Sequence, residues 1–120
     1  MKIAVTAQGN ELSSKVDTRF GRAKWIIVFD TETEEFKAHN NIMNLNAAQG
    51  AGIQAGRNVI ESGAEVVITG NTGPNAFKTL NAGNVKVYLT GDQTVQEAIE
   101  AFRADKLQQA QQPNVEGHWT

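Results

Sequence analysis

Short apolar runs alternate with polar stretches along this 120-residue chain and predict five β-strands. Four of the runs are rich in β-branched or aromatic residues. The third alternates apolar with polar residues, so we expect it to pair back on the second run as a hairpin. The predicted strands cover residues 2–7, 24–30, 35–39, 65–70 and 85–90.

Three further segments carry apolar residues at helical spacing. The first covers residues 47–62, and the second begins around Pro74, which suits a first helical turn. Thr94 caps the third, and Glu97 completes a capping box three residues later. Small residues crowd the start of the first helix. Because each glycine costs a helix roughly 0.5–1 kcal/mol relative to alanine, we expect a close backbone approach there.

Alternation of helices and strands in the second half requires parallel strands joined by right-handed crossovers, while the hairpin adds an antiparallel portion. The sequence therefore predicts a single α/β domain, a mixed five-stranded sheet with helices on both faces, over residues 1–106. Residues 107–120 lose periodicity and are expected to form an extended or disordered tail. Ligands of such sheets bind beyond the carboxyl ends of the strands, where connections 8–23, 70–75 and 90–94 should converge.

Composition and net charge exclude several classes of function. A net charge of −2 argues against a general nucleic-acid binder, and no apolar run is long enough to span a membrane. The chain enters strand-like sequence at once, so no signal peptide is visible. The absence of cysteine excludes disulfides and fits a cytoplasmic location. A bound metal would need histidine, methionine or oxygen ligands, or would arrive as a preformed anionic species.

The first polar connection is locally cationic. Its four basic residues exceed its two acidic ones, and guanidinium groups suit multi-atom anions. The basic residues are Lys15, Arg19, Arg22 and Lys24, and Arg57 of the first helix could join them. Glycine turns at 50–52 and 70–73 would add backbone N–H groups at helix starts, which stabilise negative charge.

These features predict a cradle for an anion, shielded from water by Phe20 and Met43. The alternative interpretation is that Arg19 and Arg22 pair with Asp17 and with acidic residues at the sheet edge, while the glycines serve only turns. Met43 could equally cover the core.

No catalytic constellation is evident, and we expect the protein not to be an enzyme. A metal-dependent nuclease or phosphotransferase using Asp17, Asp30 and Asp92 is an alternative, although Asp30 and Asp92 are flanked by turn residues and are typical of capping groups. A protein-interaction adaptor without a cluster is a third possibility. The two histidines, His39 and His118, are expected to be solvated.

Three motifs in order give the chain a family resemblance. They are Asp17-x-Arg-Phe-Gly-Arg-Ala, Ala48-Gln-Gly-Ala-Gly, and Val67-Ile-Thr-Gly-Asn-x-Gly-Pro-Asn-Ala-Phe. Together they resemble the dinitrogenase iron–molybdenum cofactor biosynthesis family, of NifX and NifB C-terminal type, over roughly residues 2–102.

The resemblance implies an RNase H-like α/β/α fold and noncovalent binding of an anionic molybdenum–copper sulfide cluster, or a related metal–sulfur cluster. Such a cluster brings its own sulfurs, so the lack of cysteine matters less. It also implies association with partitioning-type (MinD/ParA-like) ATPases. With Lys24 and Met43 added from the loops, the candidate cluster-binding residues are Arg19, Phe20, Gly21, Arg22, Lys24, Met43, Gly50, Gly52, Asn71, Thr72, Gly73 and Asn75.

Overall fold

A computed structural model describes residues 1–41 and 50–114 of the chain. The described part contains six strands: β1 (Lys2–Ala7), β2 (Trp25–Asp30), β3 (Phe36–Asn40), β4 (Val66–Thr69), β5 (Lys86–Leu89) and β6 (Gln108–Gln109). It also contains three helices: α1 (Ala51–Glu61), α2 (Pro74–Ala82) and α3 (Val95–Arg103). None of these helices is long and apolar enough to cross a bilayer.

The strands form one mixed sheet in the order β3-β2-β1-β4-β5-β6. Strand β1 is antiparallel to β2 and parallel to β4, which in turn is parallel to β5. The predicted hairpin of β2 and β3 is confirmed, with Phe29 opposite Phe36. His39 lies exposed on β3, at one edge of the sheet.

The prediction of five strands is wrong by one. Residues Gln108–Gln109, within the segment expected to be an extended or disordered tail, pair antiparallel with β5. Just beyond them, the Ala110 backbone N–H donates to the Val87 carbonyl at 2.8 Å, and Ala110 is buried. Strand β6 is short, polar and at the sheet edge, so it lacks the apolar alternation by which strands are identified.

Helices cover both faces, as the sequence predicts. Strand positions such as Ala4 and Val67 share one core cluster with the buried sides of α1 and α2, whereas Val5 and Ile68 share the other with α3. A strand buried on both faces is expected to be apolar at nearly every position, which is the pattern of β1 and β4. The RNase H-like designation stays a prediction.

Strands β1, β4 and β5 are parallel, so their carboxyl ends lie at the same end of the sheet. The connections after β1, β4 and β5 start there, and α1, α2 and α3 begin there. We call this end of the sheet, with residues 8–24, 70–73 and 90–94, the carboxyl rim. Its connections hydrogen bond to one another: Val16 N–H donates to Gln93 O at 2.9 Å, and Phe20 N–H to Asn71 O at 3.0 Å. The predicted convergence of the three connections is therefore confirmed.

Candidate anion-binding site

The long connection after β1 is built from turns rather than being irregular throughout. Its first part folds back on itself, with Gln8 N–H donating to Lys15 O at 2.9 Å and Ala7 opposite Val16 in an antiparallel bridge. Ser14 Oγ accepts a hydrogen bond from Glu11 N–H at 3.0 Å across this turn. The connection thereby gains fixed geometry without a strand or helix of its own.

Asp17 anchors the second part of the connection. Its backbone N–H donates to Thr6 O at 2.9 Å, and its carbonyl accepts from the buried hydroxyl of Thr6 at 2.6 Å. Asp17 is 7% exposed, and its carboxylate accepts a hydrogen bond from the Arg19 backbone N–H at 3.0 Å. The same oxygen lies 3.7 Å from Arg19 Nε, so Asp17 positions the Arg19 side chain at the rim.

Arg19 lies directly beside the glycine turn that precedes α2. Arg19 and Asn71 form a parallel β-bridge, and the Asn71 side-chain amide donates to Thr18 O at 3.1 Å. The approach is so close that a Cβ atom at Gly70 would lie 2.5 Å from Thr18 Cβ. Glycine at position 70 is therefore required by contact with the cationic loop, in addition to any role in the turn.

Gly21 brings the same loop against the start of α1. Its φ is +85°, and a Cβ atom there would lie 3.0 Å from Gly52 Cα. The expected close backbone approach at the first helix is thus found, and it joins two predicted site residues. Phe20, between Arg19 and Gly21, is 1% exposed and belongs to the core cluster. Phe20 therefore anchors the loop in the core. Its buried position does not support the prediction that its ring shields a ligand from water.

Ion pairing leaves part of the positive charge at the rim available. Arg19 faces Asp17, and Lys15 Nζ lies 3.7 Å from Asp92 Oδ1. The alternative interpretation of Arg19 as an ion-pair partner is therefore correct in part, although its side chain stays 54% exposed. Within residues 1–41 and 50–114, Arg22 and Lys24 make no ion pair, nor does Arg57, which lies exposed on α1.

The turn before α2 contains an unusual buried hydroxyl. Thr72 is fully buried, and its Oγ1 has no hydrogen-bond partner among residues 1–41 and 50–114. Gly73 is the N-cap residue of α2, so no side chain caps this helix, whereas Asn75 in the first turn is exposed. Buried polar groups normally have partners, and helix N-termini attract anions. An orphaned hydroxyl beside an uncapped helix start fits an anionic group with acceptor atoms.

Asn114 contacts this turn, and sequence reasoning missed it. Its side-chain oxygen accepts from Thr72 N–H at 2.8 Å, and its side-chain N–H group donates to Gly70 O at 3.0 Å. The Thr72 amide is thus already hydrogen bonded within the chain, contrary to the expectation of a free donor there. A lone asparagine in a glutamine-rich segment carries no sequence signal for such a contact.

Comparison with known families supplies the identity that this geometry suggests. The sequence model described as "Dinitrogenase iron-molybdenum cofactor" matches residues 1–105. The chain belongs to this family.

Two solved structures that are at least 38% identical to this chain share its fold. The apo form of the orange protein from Desulfovibrio gigas has a TM-score of 0.92 and 38% identity, covering 95% of this chain and 96% of that one. A NifB-like protein from Thermotoga has a TM-score of 0.79 and 39% identity, over 89% and 90% of the two chains. An uncharacterized protein of Methanocaldococcus jannaschii is 28% identical over 110 residues, 90% of each chain.

The structure does not assemble the carboxylate site of the nuclease alternative. Asp30 pairs with Lys2 at the opposite end of β1 from the rim, and its carboxylate accepts from Glu32 N–H at 2.9 Å, as a turn-capping group does. Asp17 and Asp92 are each engaged with a basic side chain. Among the described residues, no group of three or more histidine, cysteine, aspartate or glutamate side chains is arranged to hold a metal ion.

Two residues of interest lie outside the described residues. They are Met43, predicted to shield the ligand, and His118. Of the other candidate residues, backbone contacts bring Arg19 together with Asn71, and Gly21 together with Gly52. Arg22 N–H donates to Arg19 O at 3.2 Å in the same turn, which keeps both arginines in one short segment.

Proposed function

We propose that this protein binds and carries an anionic metal–sulfur cluster, without covalent attachment, at the carboxyl rim. Membership of the dinitrogenase iron–molybdenum cofactor family supports cluster binding or carrying in general. The observation that carries the proposal for this site is the pairing of Arg19 with Asn71. That bridge joins a cationic loop to the uncapped start of α2, and the two supply complementary means of holding negative charge.

Each part of the rim would contribute differently to binding. Arg19, Arg22 and Lys24 would neutralise charge, and guanidinium groups would also donate directed hydrogen bonds to sulfide or oxide atoms. The orphaned hydroxyl of Thr72 would donate to the cluster or to an atom attached to it, which would satisfy its buried hydrogen-bonding potential. None of these groups needs to react with the cluster, so the proposal requires no catalysis.

We infer that the cluster is a mixed molybdenum–copper sulfide. Thiomolybdate is an anion whose sulfur atoms ligate copper, so it needs no thiolate from the protein, and this chain contains no cysteine. The likeness to the orange protein, whose solved structure is described as an apo form, supports a ligand-binding role. A partitioning-type ATPase as partner and a cytoplasmic location remain predictions from the family resemblance and the composition.

A reconstitution titration tests the site. Tetrathiomolybdate and copper(I) added to the cluster-free protein should produce a charge-transfer absorption band that remains with the protein on gel filtration. The double variant Arg19→Ala/Arg22→Ala should lose this band. Its matched control is Lys2→Ala/Lys86→Ala, which removes the same charge from two exposed positions at the ends of β1 and β5 that lie away from the rim.

Three results would be decisive. Loss of the band in the arginine variant alone supports the assignment. Equal binding by both variants would remove the arginines from the site. Absence of binding by the wild-type chain, together with no molybdenum or copper in protein isolated without added metal, would favour the cluster-free adaptor.

A further inference from the structure

Asn114 makes an unusually complete set of contacts for an exposed residue near the end of the described chain. Its side-chain oxygen accepts from Thr72 N–H at 2.8 Å, while its amide N–H group donates to Gly70 O at 3.0 Å and lies 3.4 Å from Asn71 Oδ1. Its backbone N–H donates to Thr72 O at 3.1 Å. One side chain therefore contacts three groups of the glycine turn: the Thr72 N–H, the Gly70 carbonyl and the Asn71 side-chain oxygen.

The chain that delivers Asn114 is only lightly attached to the domain. Strand β6 is two residues long, and Ala110 is the last buried residue before Asn114. Gln111 and Gln112 are exposed, and Pro113 is half-buried. Little apolar surface is buried between Ala110 and Asn114. Among the described residues, the hydrogen bonds of Asn114 are therefore the main attachment of this segment to the rim.

The acceptor that Asn114 presents to Thr72 is chemically similar to what an anion would present. An amide oxygen carries partial negative charge and accepts from the same backbone N–H that a sulfide or oxide atom would use. The hydroxyl of the same residue, Thr72 Oγ1, has no partner in the part of the chain that the structure describes. Both backbone groups of Thr72 are thus hydrogen bonded by the chain itself, whereas its buried hydroxyl remains an unused donor within the described residues.

We propose that Asn114 is an intramolecular competitor that covers the glycine turn until a ligand displaces it. This inference rests on the proposed function, because it concerns the same site. Binding at the turn then requires the segment from Gln111 to Asn114 to leave. The apparent affinity for the ligand equals the intrinsic affinity multiplied by the fraction of molecules in which this segment is detached. Asn114 is a regulating residue in this scheme and is replaced by the ligand.

The first test needs no ligand. In the cluster-free protein, amide hydrogen exchange at Thr72 should be slow in the wild type and faster in Asn114→Ala, because the acceptor of that N–H is gone. Gln112→Ala is the matched control, since Gln112 is exposed and two residues away on the same segment. Asn114→Leu, which keeps the size of the side chain without its polar atoms, serves as a second variant. Unchanged amide resonances of the sheet establish that each variant is folded.

The second test adds tetrathiomolybdate and copper(I). Removal of the competitor should tighten binding about tenfold in both Asn114 variants, equivalent to about 1.4 kcal/mol, and leave Gln112→Ala at the wild-type value. If the wild-type protein binds the cluster and the Asn114 variants bind it no more tightly, the proposed function stands, while the proposal that Asn114 is a competitor is wrong. Weaker binding in those variants would make Asn114 part of the ligand site and would also overturn it. Failure of the wild type to bind at all would instead remove the proposed function, whatever the exchange at Thr72.

Discussion

Gly21 and Gly52 lie backbone to backbone, so closely that a methyl group on Gly21 would come within 3.0 Å of Gly52 Cα and 3.2 Å of Gly52 N. One residue belongs to the cationic loop and the other to the first turn of α1, 31 positions later in the chain. This contact holds the loop against the helix start without any polar side chain. The loop can approach α1 this closely because neither Gly21 nor Gly52 has a side chain.

The contact predicts a large effect of alanine at position 21. Gly21→Ala combines a left-handed backbone conformation with a clash against backbone atoms, which cannot rotate away as a side chain can. We expect the free energy of unfolding to fall by about 2 kcal/mol or more. Urea denaturation followed by circular dichroism measures the change.

Gly50→Ala is the control for the backbone conformation alone. Gly50 has a similar φ of +78°, but a Cβ atom there would meet no heavy atom of the described residues within 4 Å. The expected loss is about 1 kcal/mol. Equal losses at positions 21 and 50 would mean that the approach to Gly52 contributes nothing to stability.

A second close approach predicts a variant that affects stability and binding together. In Gly70→Ala the new methyl group would lie 2.5 Å from Thr18 Cβ and 2.9 Å from Thr18 Cα. Because the second of these atoms is backbone, the cationic loop must move away from the turn. We expect unfolding free energy to fall by about 2 kcal/mol and cluster affinity to fall with it.

The double variant Gly70→Ala/Thr18→Gly relieves the contact with Thr18 Cβ and should recover part of both losses. Gly91→Ala is the neutral comparison, because a Cβ atom there would meet no atom of residues 1–41 and 50–114 within 4 Å. If Gly70→Ala bound the cluster as well as the wild type, the junction of loop and turn would not be the binding site.

Much of the fold follows from the sequence because its main signals are local. The runs around Val5, Ile27 and Val67 are apolar at most positions and rich in β-branched residues, which identifies strands buried on both faces. The spacing of Thr94 and Glu97 identifies the start of α3, and the capping box is present in the structure. Strand β6 is missed because an edge strand of two glutamines needs no apolar pattern.

The site is harder to predict, because composition shows which groups are available but not which way they face. Phe20 and Thr72 look equally accessible in the sequence, yet both are buried. The requirement for glycine at position 70 arises from Thr18, more than 50 residues away in the chain, and is invisible without the fold. Asn114 lies in a segment without periodicity, so nothing local marks it as a partner of the glycine turn.

The capping box of α3 predicts an acid-dependent loss of stability. The backbone N–H of Thr94, 2.9 Å from Glu97 Oε1, lowers the pKa of Glu97 below 4.5, and the Thr94 side chain adds to this. A carboxyl group with a lowered pKa in the folded state stabilises the protein above its unfolded pKa. That contribution is lost as the pH falls through the folded value.

Glu97→Gln keeps a side-chain acceptor but cannot titrate. Its stability should lie below that of the wild type at about pH 6, and the difference should vanish toward about pH 3. Urea midpoints across this range measure it. A constant difference at every pH would show that the charge of Glu97 contributes nothing to the cap.

Two buried threonines at the rim should respond in opposite directions to the same substitution. Thr6 Oγ1 donates to Asp17 O at 2.6 Å and lies 2.8 Å from Thr69 Oγ1, so Thr6→Val removes a partner from a buried carbonyl group. We expect the free energy of unfolding to fall by about 1–3 kcal/mol. Thr72→Val removes a buried hydroxyl that has no partner among the described residues. It should leave the stability of the cluster-free protein unchanged or raise it by up to about 1 kcal/mol.

The cluster-binding assay then gives the Thr72 comparison its meaning. If Thr72 Oγ1 donates to the cluster, Thr72→Val should bind more weakly by about fivefold to tenfold, the value of one hydrogen bond, although its fold is at least as stable as that of the wild type. Loss of binding in a destabilised variant would be ambiguous, whereas loss in a stabilised one assigns the hydroxyl to the ligand. Wild-type affinity in Thr72→Val would leave the orphaned hydroxyl without a role in binding and would restrict the anion site to the cationic loop.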